Sequence, residues 1–364
     1  MREPILYIDG LFYKGAGLGR YYELITKEFL KRGIKIYTCV PKSLERYFEE
    51  DFKDYKHILE PVFVDYEKFS VKGFFNQGKI LKKLEDKVDI FLYPQINLPY
   101  YIPKNTISVI FDLIPLTKYW RGSPLKTRAY LFYLKRALTY SKGIITSSDF
   151  VKKELTSMFE LNKVKTIYAF IDDKFSKNQY TKPILKEDYI LFVGNRKKHK
   201  NLKNLILAFN MIKEKNLKLV IAGSYDKSKY DEAKQTIKTL GIEDKVVEIE
   251  RPSDEELISL YQHAKLFILP SLYEGFGLTL LEAISCGSVS ISSNIEVLRE
   301  IFGSSIACFD PFDTMDIAKK IDITLNNEEI RKKILGDAKS ISIKYRKDAI
   351  IEEYLSYFHK VCCR

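Results

Sequence analysis

Two acidic residues in "LYEGFGLTLLEAISCG" have a spacing that suits the binding of a sugar and a diphosphate. Glu274 and Glu282 flank a Gly-Phe-Gly turn and a short apolar run. Carboxylates accept hydrogen bonds from sugar hydroxyls, and the N–H groups at a helix start bind diphosphate oxygens. The pattern predicts that Glu274 precedes a helix ended by Gly287 and that Glu282 lies within it. Taken singly, Glu282 could be an exposed helix acid and Glu274 a capping acid.

A basic loop in "FVGNRKKHKNLKNLILAF" follows a strand pattern and opens a helix pattern. Arg196 and Lys200 are placed where the strand end meets the helix N-terminus, and both can neutralise the charge of a leaving diphosphate. We therefore predict that Arg196 and Lys200 bind an anion, and we expect Lys197, Lys198 and His199 to lie at the surface. The alternative is a solvated basic turn without a ligand.

A glycine-bearing loop in the first half, "DGLFYKGAGLGRYY", opens an amphipathic helix. Backbone N–H groups at such a helix start can hold a phosphate. The glycines are spaced G-x-G-x-G, Arg20 stands where the third glycine of a dinucleotide fingerprint belongs, and no acid ends the second strand. We therefore expect no nicotinamide cofactor. The alternative to a phosphate site is a turn that the glycines allow and that binds no ligand.

Asp112 is the candidate functional carboxylate of the first half. In "VIFDLIPL" it follows a strand end, and Pro115 fixes the loop after it, so the carboxylate is expected to face a ligand cleft. A turn-capping role for Asp112 is equally open from the residues alone.

The elements that position these residues alternate along the chain. Short apolar runs, each followed by a helical period, predict parallel strands at 5–9, 35–40, 89–94, 107–111, 143–148, 164–170, 189–194, 217–223, 245–250, 266–271, 289–293 and 306–310. A polar linker that contains Pro183 separates two halves. The pattern predicts an α/β fold of two doubly wound parallel-sheet domains, 1–180 and 181–345, with a ligand cleft where the strand carboxyl ends meet. A C-terminal helix in 346–364 is expected to pack back on the first domain.

The composition excludes several function classes. No apolar run of the 364 residues is long enough to cross a bilayer, and the first residues lack a signal-peptide pattern, so a cytoplasmic protein is expected. Five cysteines without a C-x-x-C pair and four scattered histidines predict neither a disulfide frame nor a metal site. The net charge of +12 predicts attraction to polyanions, but no recognised nucleic-acid motif is present, so nucleic acid is not an expected partner.

Together these stretches resemble the retaining glycosyltransferases of family 4, which have the GT-B fold of two Rossmann-like domains. The most specific part is "PSLYEGFGLTLLEAISCGSVSISSN", with its E-x7-E motif; "GNRKKHKNLKNLILAF" and the stretch from "FDLIPL" to "SSDFVKKEL" add to it. Within that family the chain looks most like the mannosyltransferase-type enzymes that build bacterial O-antigen, capsule or exopolysaccharide. The resemblance covers nearly the whole chain.

The resemblance implies roles for residues at the motif positions. It implies that Glu274 positions the donor sugar, that Glu282 binds the ribose, and that Arg196 and Lys200 hold the diphosphate, with Asp112 completing the catalytic set. The implied substrate-binding residues are Gly17, Phe111, Asn195, Arg251, Gly275, Phe276, Gly277, Leu278, Thr279 and Glu282.

One position departs from the family pattern. The usual His-Asp before the L-x-P loop is Phe111-Asp112 here, so the histidine that in relatives reaches the donor sugar near its 6-hydroxyl is absent. A phenyl ring cannot pair a hydroxyl, and burying one unpaired loses affinity. We hypothesise that the donor lacks that hydroxyl, as a 6-deoxy sugar or a pentose does; loss of activity is the other possibility.

The expected reaction is transfer of a hexose or 6-deoxyhexose from a nucleotide-diphosphate sugar, with GDP-mannose as the first guess. Cations and helix N-terminal dipoles stabilise the leaving group, so neither a metal nor a cofactor is expected.

The stretch 118–143 mixes basic and aromatic residues, which suits an acceptor that is a growing glycan or a lipid-linked glycan at an anionic membrane face. The alternative is an amphipathic core helix with a basic outer face. The rival functions are another GT-B-type enzyme, such as a sugar-nucleotide epimerase or a phosphorylase, and a non-enzymatic polyanion binder.

Overall fold

The computed structural model describes residues 2–176, 181–214, 216–224 and 231–362. The described chain forms two compact units. The first contains residues up to Pro115, Gly122–Tyr168 and the chain from Asp348 onward, and the second contains Leu116–Arg121 and Ala169–Lys347. The predicted domain boundary at residue 180 lies outside the described residues, as does Cys363.

The first unit is built on a seven-stranded sheet in the order β3-β2-β1-β4-β5-β6-β7. All its strand pairs are parallel, and helices lie in the connections between successive strands except the loop from β4 to β5. The strands are β1 (Leu6–Ile8), β2 (Ile36–Pro41), β3 (Leu59–Val64), β4 (Ile90–Tyr93), β5 (Thr106–Ile110), β6 (Gly143–Thr146) and β7 (Val164–Thr166). The helices are α1 (Ala16–Lys31), α2 (Glu45–Asp51), α3 (Val71–Leu84), α4 (Pro124–Tyr140) and α5 (Asp149–Met158). Strands β1, β4, β5 and β6 are buried along their whole length, which explains their continuous apolar runs.

Strand β3 was not predicted from the sequence. Its residues "LEPVFV" include Pro61, which cannot donate to a sheet ladder and therefore disfavours a strand interior. The structure places β3 at the end of the strand order, where it pairs with β2 and Pro61 lies opposite Thr38. An edge strand tolerates proline because one side of it needs no partner.

The C-terminal helix α14 (Lys347–Cys362) packs against α1 in the first unit. The ring of Phe29 lies 5.7 Å from that of Phe358, and the hydroxyls of Tyr21 and Tyr354 are 2.5 Å apart, both buried. These contacts pack the C-terminal helix against α1 through buried side chains. The C-terminal helix that the sequence predicts is therefore present and lies against the first unit.

The second unit has a six-stranded parallel sheet in the order β10-β9-β8-β11-β12-β13. Its strands are β8 (Tyr189–Val193), β9 (Lys218–Gly223), β10 (Val246–Glu250), β11 (Leu266–Leu269), β12 (Ser290–Ser293) and β13 (Ala307–Phe309). Its helices are α6 (Asp173–Ser176), α7 (Leu202–Met211), α8 (Glu232–Leu240), α9 (Asp254–His263), α10 (Leu278–Ser285), α11 (Glu296–Phe302), α12 (Thr314–Asn326) and α13 (Glu328–Lys344).

A buried apolar cluster joins the central strands of the second sheet to α7 and α12. Ile190, Phe192 and Ile268 contribute from the strands, and Leu205 and Ile321 from the helices. Helices on both faces of a parallel sheet are the doubly wound arrangement that the alternating pattern predicts. The prediction of two such sheets is confirmed in both units.

Candidate active site

The second unit brings the two motifs together through one ion pair. Lys200 closes a 3-10 turn (Lys198–Lys200) after β8, and Glu274 lies in the turn between β11 and α10. The Lys200 Nζ is 2.6 Å from Glu274 Oε1, and the Ser271 hydroxyl donates to the same oxygen over 2.6 Å. Each charged side chain is 12 % exposed. Ser271 lies three residues before Glu274 in the stretch "PSLYEGFG", and the sequence analysis gave it no role.

The pair holds Glu274 as a carboxylate. Burial by itself raises the pKa of the Glu274 carboxyl, but the positive charge of Lys200 and the hydrogen bonds from Lys200 and Ser271 outweigh burial, so the pKa is lowered from its ordinary value. A carboxylate that stays ionised can accept hydrogen bonds from sugar hydroxyls but cannot act as a proton donor at neutral pH. The geometry therefore suits Glu274 to positioning a sugar.

His199 lies in the core of this loop, and the expectation that it lies at the surface is wrong. Its side chain is buried, and its backbone carbonyl accepts a hydrogen bond of 2.7 Å from the Leu272 N–H. The 3-10 turn directs Lys197 and Lys198 to solvent and turns the residue between Lys198 and Lys200 inward. Burial and the nearby Lys200 charge lower the pKa of His199 to about 4, so the ring is neutral near pH 7. The burial of His199 could not be predicted from the sequence, because its neighbours on both sides are lysines that are typical of a solvent-exposed loop.

Gly277 forms the turn that opens α10. Its φ of 100° lies in the left-handed region, and a Cβ at this position would lie 2.7 Å from Leu298 Cδ2. Both constraints require glycine there. The Leu280 and Leu281 N–H groups bond to the Gly277 carbonyl, which leaves the first-turn amides of Leu278 and Thr279 at the helix N-terminus, close in sequence to Glu274.

The residues between Glu274 and Gly277 are anchored to the unit. The Phe276 ring is buried and packs edge-on against Tyr345 at 5.2 Å, so an aromatic contact holds the turn in place. Gly275 lies between Glu274 and Phe276 and is half-buried. The anchored turn fixes the backbone that the sequence assigns to donor binding.

Glu282 is buried one turn into α10 rather than exposed. It is 5 % exposed, and the Tyr261 hydroxyl donates to its Oε2 over 3.0 Å. Burial, with the charge of Glu282 as a second cause, raises the pKa of the neighbouring Cys286 thiol to about 12. A buried carboxylate with a hydroxyl partner is more constrained than the exposed helix acid that the sequence left open. The pairing of Tyr261 with Glu282 could not be predicted from the sequence, because Tyr261 lies on α9, in a different part of the chain.

Arg196 lies on the same loop as Lys200 but is held by other residues. Its side chain is 3 % exposed; Nη1 lies 2.7 Å from Asp231 Oδ2, and Nη2 pairs with Glu248. Asp231 also caps α8. The guanidinium is thus shared by two carboxylates, and a diphosphate would have to compete with them. The partners were not visible in the sequence, because they come from β10 and the N-terminus of α8.

The remaining candidates of the second unit lie at strand ends. The Asn195 side chain accepts from the Lys197 N–H over 3.2 Å, which shapes the basic loop. Arg251 is exposed and has a φ of 50°, a left-handed conformation that is strained for a non-glycine residue. Its N–H donates to the Gly223 carbonyl over 3.3 Å, so the end of β10 is tied to the end of β9.

The first-unit candidates occupy two places. Asp112 follows β5, and its Oδ1 accepts from the Ile114 N–H over 3.0 Å, which is the turn-capping contact that the sequence left open. Phe111 is half-buried and packs edge-on against Tyr21 at 4.6 Å. Gly17 is exposed in the first turn of α1, and nothing lies within 4 Å of a Cβ placed on it.

Helices α3 and α4 present an exposed aromatic and basic face, which we call the aromatic surface. Its centre is Phe74, whose ring contacts Phe75, Tyr100, Phe132 and Tyr133. The surface also includes Phe69, Tyr140 and the Arg136 guanidinium, which lies over the rings of Phe74, Phe132 and Tyr140. Phe75, Phe132 and Tyr100 are 52 %, 50 % and 67 % exposed. Helices α3 and α4 each carry four Lys or Arg residues and no Asp or Glu.

The described residues contain neither a metal cluster nor a membrane-spanning helix. Within residues 2–176, 181–214, 216–224 and 231–362, no three His, Cys, Asp or Glu side chains come together in a way that could hold a metal ion. Over the same part of the chain, no helix has the length and apolarity needed to cross a membrane. Cys39, Cys286 and Cys308 are free thiols.

Comparisons with known proteins agree with this fold and with the second-unit motifs. Residues 173–340 match the family described as glycosyl transferases group 1. Over 263 residues the chain is 27 % identical to a serotype-specific mannosyltransferase, WbdA, of Escherichia coli, covering 67 % of this chain and 32 % of that protein. It is 30 % identical over 211 residues to the O-antigen chain mannosyltransferase B of Escherichia coli, covering 54 % of this chain and 55 % of that protein. The aligned part of the chain thus spans only about a third of the length of the first curated relatives.

A solved structure shares the fold over nearly the full length. Anabaena HepE in complex with UDP-glucose superposes with a TM-score of 0.78 at 14 % identity, covering 98 % of this chain and all of that one. The chain has the GT-B fold, and its residues 173–340 are similar to the group 1 glycosyl transferases.

Proposed function

We propose that the protein is a retaining glycosyltransferase that moves a hexose or 6-deoxyhexose from a nucleotide-diphosphate sugar to a growing glycan or a lipid-linked glycan. The observation that carries the proposal is the Lys200–Glu274 pair, 2.6 Å apart and 12 % exposed on each side, beside the N-terminus of α10. A fixed carboxylate, a cation and first-turn amides are the groups needed to hold a sugar and to stabilise a departing diphosphate.

Each candidate residue has a proposed role that follows from its surroundings. Glu274 positions the donor sugar, and Lys200 neutralises charge on the leaving diphosphate while it holds Glu274 ionised. The first-turn amides of Leu278 and Thr279 bind phosphate oxygens. Glu282 binds the ribose hydroxyls, sharing its carboxylate with Tyr261.

Arg196, Asn195 and Arg251 complete the proposed donor site. The Arg196 guanidinium is already paired with Asp231 and Glu248. Arg196 therefore binds the diphosphate by giving up one of these ion pairs for a pair with a phosphate. Asn195 holds the basic loop, and Arg251 is proposed to lie near the base. The contributions of Gly17 and Asp112 stay predictions of the sequence.

The proposed chemistry needs no metal ion. Two cationic side chains and a helix N-terminus supply the positive charge that a metal would otherwise bring to the leaving group. We assign no covalent nucleophile, because Glu274 is proposed to position the sugar. Activity that survives an excess of EDTA is the expected result, and activity restored only by a divalent cation would contradict it.

The donor sugar is proposed to lack a 6-hydroxyl, with GDP-mannose retained as the reference donor. The relatives named above carry mannosyltransferase names, which supports a mannose-like sugar. Phe111, packed on Tyr21, offers a phenyl ring where the resemblance expects an imidazole. A ring edge favours a methyl group over a hydroxyl.

The acceptor is proposed to be presented at an anionic membrane face, with the aromatic surface as the contact. The aromatic side chains provide apolar area that sits at the level of lipid headgroups, and the eight Lys and Arg residues of α3 and α4 supply charge complementary to anionic lipid. The sequence prediction was limited to residues 118–143; the contacts of Phe74 with Phe132 and Tyr133 add α3 to that stretch.

The test begins with the nucleotide. Thermal unfolding of the full chain is measured with UDP, GDP, dTDP and ADP, and one of them is expected to raise the Tm. Turnover of the matching nucleotide sugar is then followed by NMR of the anomeric proton, which reports retention directly. Inverted product, or no shift with any nucleotide diphosphate, would overturn the proposal.

A further inference from the structure

Asn201 is a buried asparagine with a left-handed backbone at the point where the basic loop enters α7. Its φ is 56° and its ψ is 29°, and it is 8 % exposed. It follows Lys200 directly and precedes Leu202, the first residue of α7. Glycine adopts this conformation without strain, and asparagine is one of the few other residues that adopt it readily. The backbone of Asn201 therefore sets the direction in which the chain leaves Lys200.

The side chain of Asn201 makes a hydrogen bond that a glycine could not make. Its Nδ2 donates to the Pro311 carbonyl over 2.7 Å, in the loop between β13 and α12. Asparagines at a helix start usually cap their own helix, whereas this side chain bonds to a different element. Pro311 is buried as well, so the bond is shielded from water and is stronger than it would be at the surface.

A second asparagine, Asn204, donates to the same carbonyl from the first turn of α7. The distance from its Nδ2 to the Pro311 oxygen is 3.0 Å, and its side chain is half-buried. Both asparagines hold the loop after β13 against α7. They differ in one respect: Asn201 is joined to Lys200 by a peptide bond, whereas Asn204 lies further along the helix. Asn201 can therefore act on the position of Lys200, and Asn204 serves as its internal comparison.

The basic loop is thus anchored at three consecutive residues. His199 and Lys200 are tied to the turn after β11, the first through its backbone carbonyl and the second through its ammonium. Asn201 is tied to the loop after β13. In the second sheet β11 and β13 lie on the same side of β8, so all three anchors hold the loop over that side of the sheet. The anchors on either side of Lys200 fix the backbone from which its long side chain reaches Glu274.

We propose that Asn201 is a positioning residue of the donor site, whose left-handed backbone and bond to Pro311 hold the Lys200 ammonium against Glu274. The inference rests on the proposed glycosyl transfer and deepens it, because it adds a residue that acts on the leaving diphosphate through Lys200. The lysine ammonium sits on a flexible stem, so its position depends on how firmly its backbone is held.

A misplaced Lys200 is expected to affect the chemical step more than donor binding. A shift of about 1 Å in a catalytic group can cost a large factor in rate, because stabilisation of the transition state requires a preorganised charge. The attraction between a cation and a bound diphosphate changes little over such a shift, since it varies gradually with distance. Loss of the Asn201 anchor should therefore lower kcat and leave the donor KM nearly unchanged.

The first test needs no substrate. Urea unfolding of the full chain, of Lys200→Gln, of Glu274→Gln and of the double variant measures the coupling between the two charged residues. The cycle is repeated in Asn201→Gly, which keeps the left-handed backbone and removes the donor to Pro311. We expect this background to lose at least half of the coupling free energy. Asn204→Ala is the matched control, because it removes the other hydrogen bond to the same carbonyl, and it should leave the coupling unchanged.

The second test is steady-state kinetics with the nucleotide sugar that the wild type turns over. Asn201→Gly should lower kcat by about tenfold and keep the donor KM within about threefold. It should have no further effect on kcat in a Lys200→Gln background, because Asn201 acts through Lys200. Asn204→Ala should keep kcat within about twofold.

Unchanged coupling in Asn201→Gly, or an equal loss of coupling in Asn204→Ala, would show that Asn201 only supports the loop after β13 and would overturn the inference. A fall in kcat of the same size in the Lys200→Gln background would overturn it too. If Asn201→Gly does not fold, Asn201→Asp decides by the same cycle, since it keeps the shape and places an acceptor against the Pro311 carbonyl. Failure of the proposed function is separate, because it would appear as absent nucleotide-sugar turnover in the wild type, while the unfolding cycle would still report on Asn201.

Discussion

The ammonium of Lys200 lies 2.6 Å from the carboxylate of Glu274, although 74 positions separate the two residues along the chain. Lys200 follows β8 and Glu274 follows β11, which are neighbours in the second sheet. Parallel strands carry their carboxyl ends to the same edge of the sheet, so the two loops meet there. The pair thereby links the basic loop and the E-x7-E loop into one charged site.

Replacement of Glu274 is expected to lower turnover far more than nucleotide affinity. Glu274→Ala and Glu274→Gln remove the group that positions the sugar and leave Lys200 without its carboxylate. We expect kcat to fall by about 10²–10³, the usual effect of losing one preorganised polar group, with the nucleotide Kd changed by less than about threefold. Steady-state kinetics and nucleotide titration measure the two effects.

The matched control for Glu274 is Lys197→Gln, which alters an exposed residue of the same basic loop. It should leave kcat within about twofold, because surface substitutions away from a site have small effects. If Glu274→Gln changed only the nucleotide Kd, the role of Glu274 in holding the sugar would be wrong.

Replacement of Glu282 is expected to have the opposite profile. Glu282→Ala removes the acceptor proposed for the ribose hydroxyls, and the nucleotide Kd should weaken by roughly tenfold or more, which corresponds to about 1.4 kcal/mol. Calorimetric titration of the nucleoside diphosphate measures the change. Tyr261→Phe removes only the hydroxyl that donates to Glu282 and should weaken binding less. Equal losses in the two variants would assign Glu282 a structural role.

The stability of the second unit is expected to fall in acid because of His199. The pKa of His199 is about 4 in the folded chain and near 6.5 when unfolded, so between these values the unfolded state binds a proton that the folded state does not. This contribution is fully present above pH 6.5 and is lost as pH falls toward 4. Between pH 7 and pH 5 we expect His199 to account for about 2 kcal/mol of the decrease in unfolding free energy.

Urea unfolding of the wild type and of His199→Gln at pH 5, 6 and 7 measures this contribution. The variant should show the smaller decrease on acidification. His57→Gln is the control, since His57 is exposed, and it should follow the wild type. A wild-type acid slope retained in His199→Gln would assign the decrease to other groups.

The strand and helix pattern and the site loops were predictable because each depends on local sequence. The alternating apolar runs located every strand except β3, whose Pro61 hides an edge strand. The helix in "LTLLEAISCG" was predicted with its end at Gly287, and the structure gives Gly287 a φ of 84°, a conformation that favours glycine. The partners of the site residues were not predictable: Ser271 lies in the motif, but Tyr261, Asp231 and Glu248 reach Glu282 and Arg196 from other elements. Such pairings depend on which strand ends are neighbours, and periodicity carries no information about that.

The donor preference is expected to depend on Phe111. Wild-type enzyme should use a GDP-6-deoxyhexose faster than GDP-mannose, because a phenyl ring leaves a 6-hydroxyl unpaired. Phe111→His supplies a ring that can pair the hydroxyl and should shift the kcat/KM ratio toward GDP-mannose by at least about tenfold. Phe111→Leu stays apolar and should keep the wild-type preference. Faster use of GDP-mannose by the wild type would contradict the hypothesis.

Membrane binding is expected to depend on the aromatic surface. Wild-type protein should float with phosphatidylglycerol vesicles at low salt, and less at about 1 M salt, because screening weakens the attraction of Lys and Arg to anionic lipid. It should not float with phosphatidylcholine vesicles.

The double variant Phe75→Ser/Phe132→Ser removes two half-exposed rings and should lose most of the flotation. Its Tm should stay close to that of the wild type, since exposed rings contribute little to folding. Met315→Ser is the matched control, because Met315 is an exposed apolar residue of the second unit, 64 % exposed on α12. Flotation of the double variant at the wild-type level would show that the aromatic surface does not bind the membrane. The proposed glycosyl transfer would be unaffected, because the donor experiments test it separately.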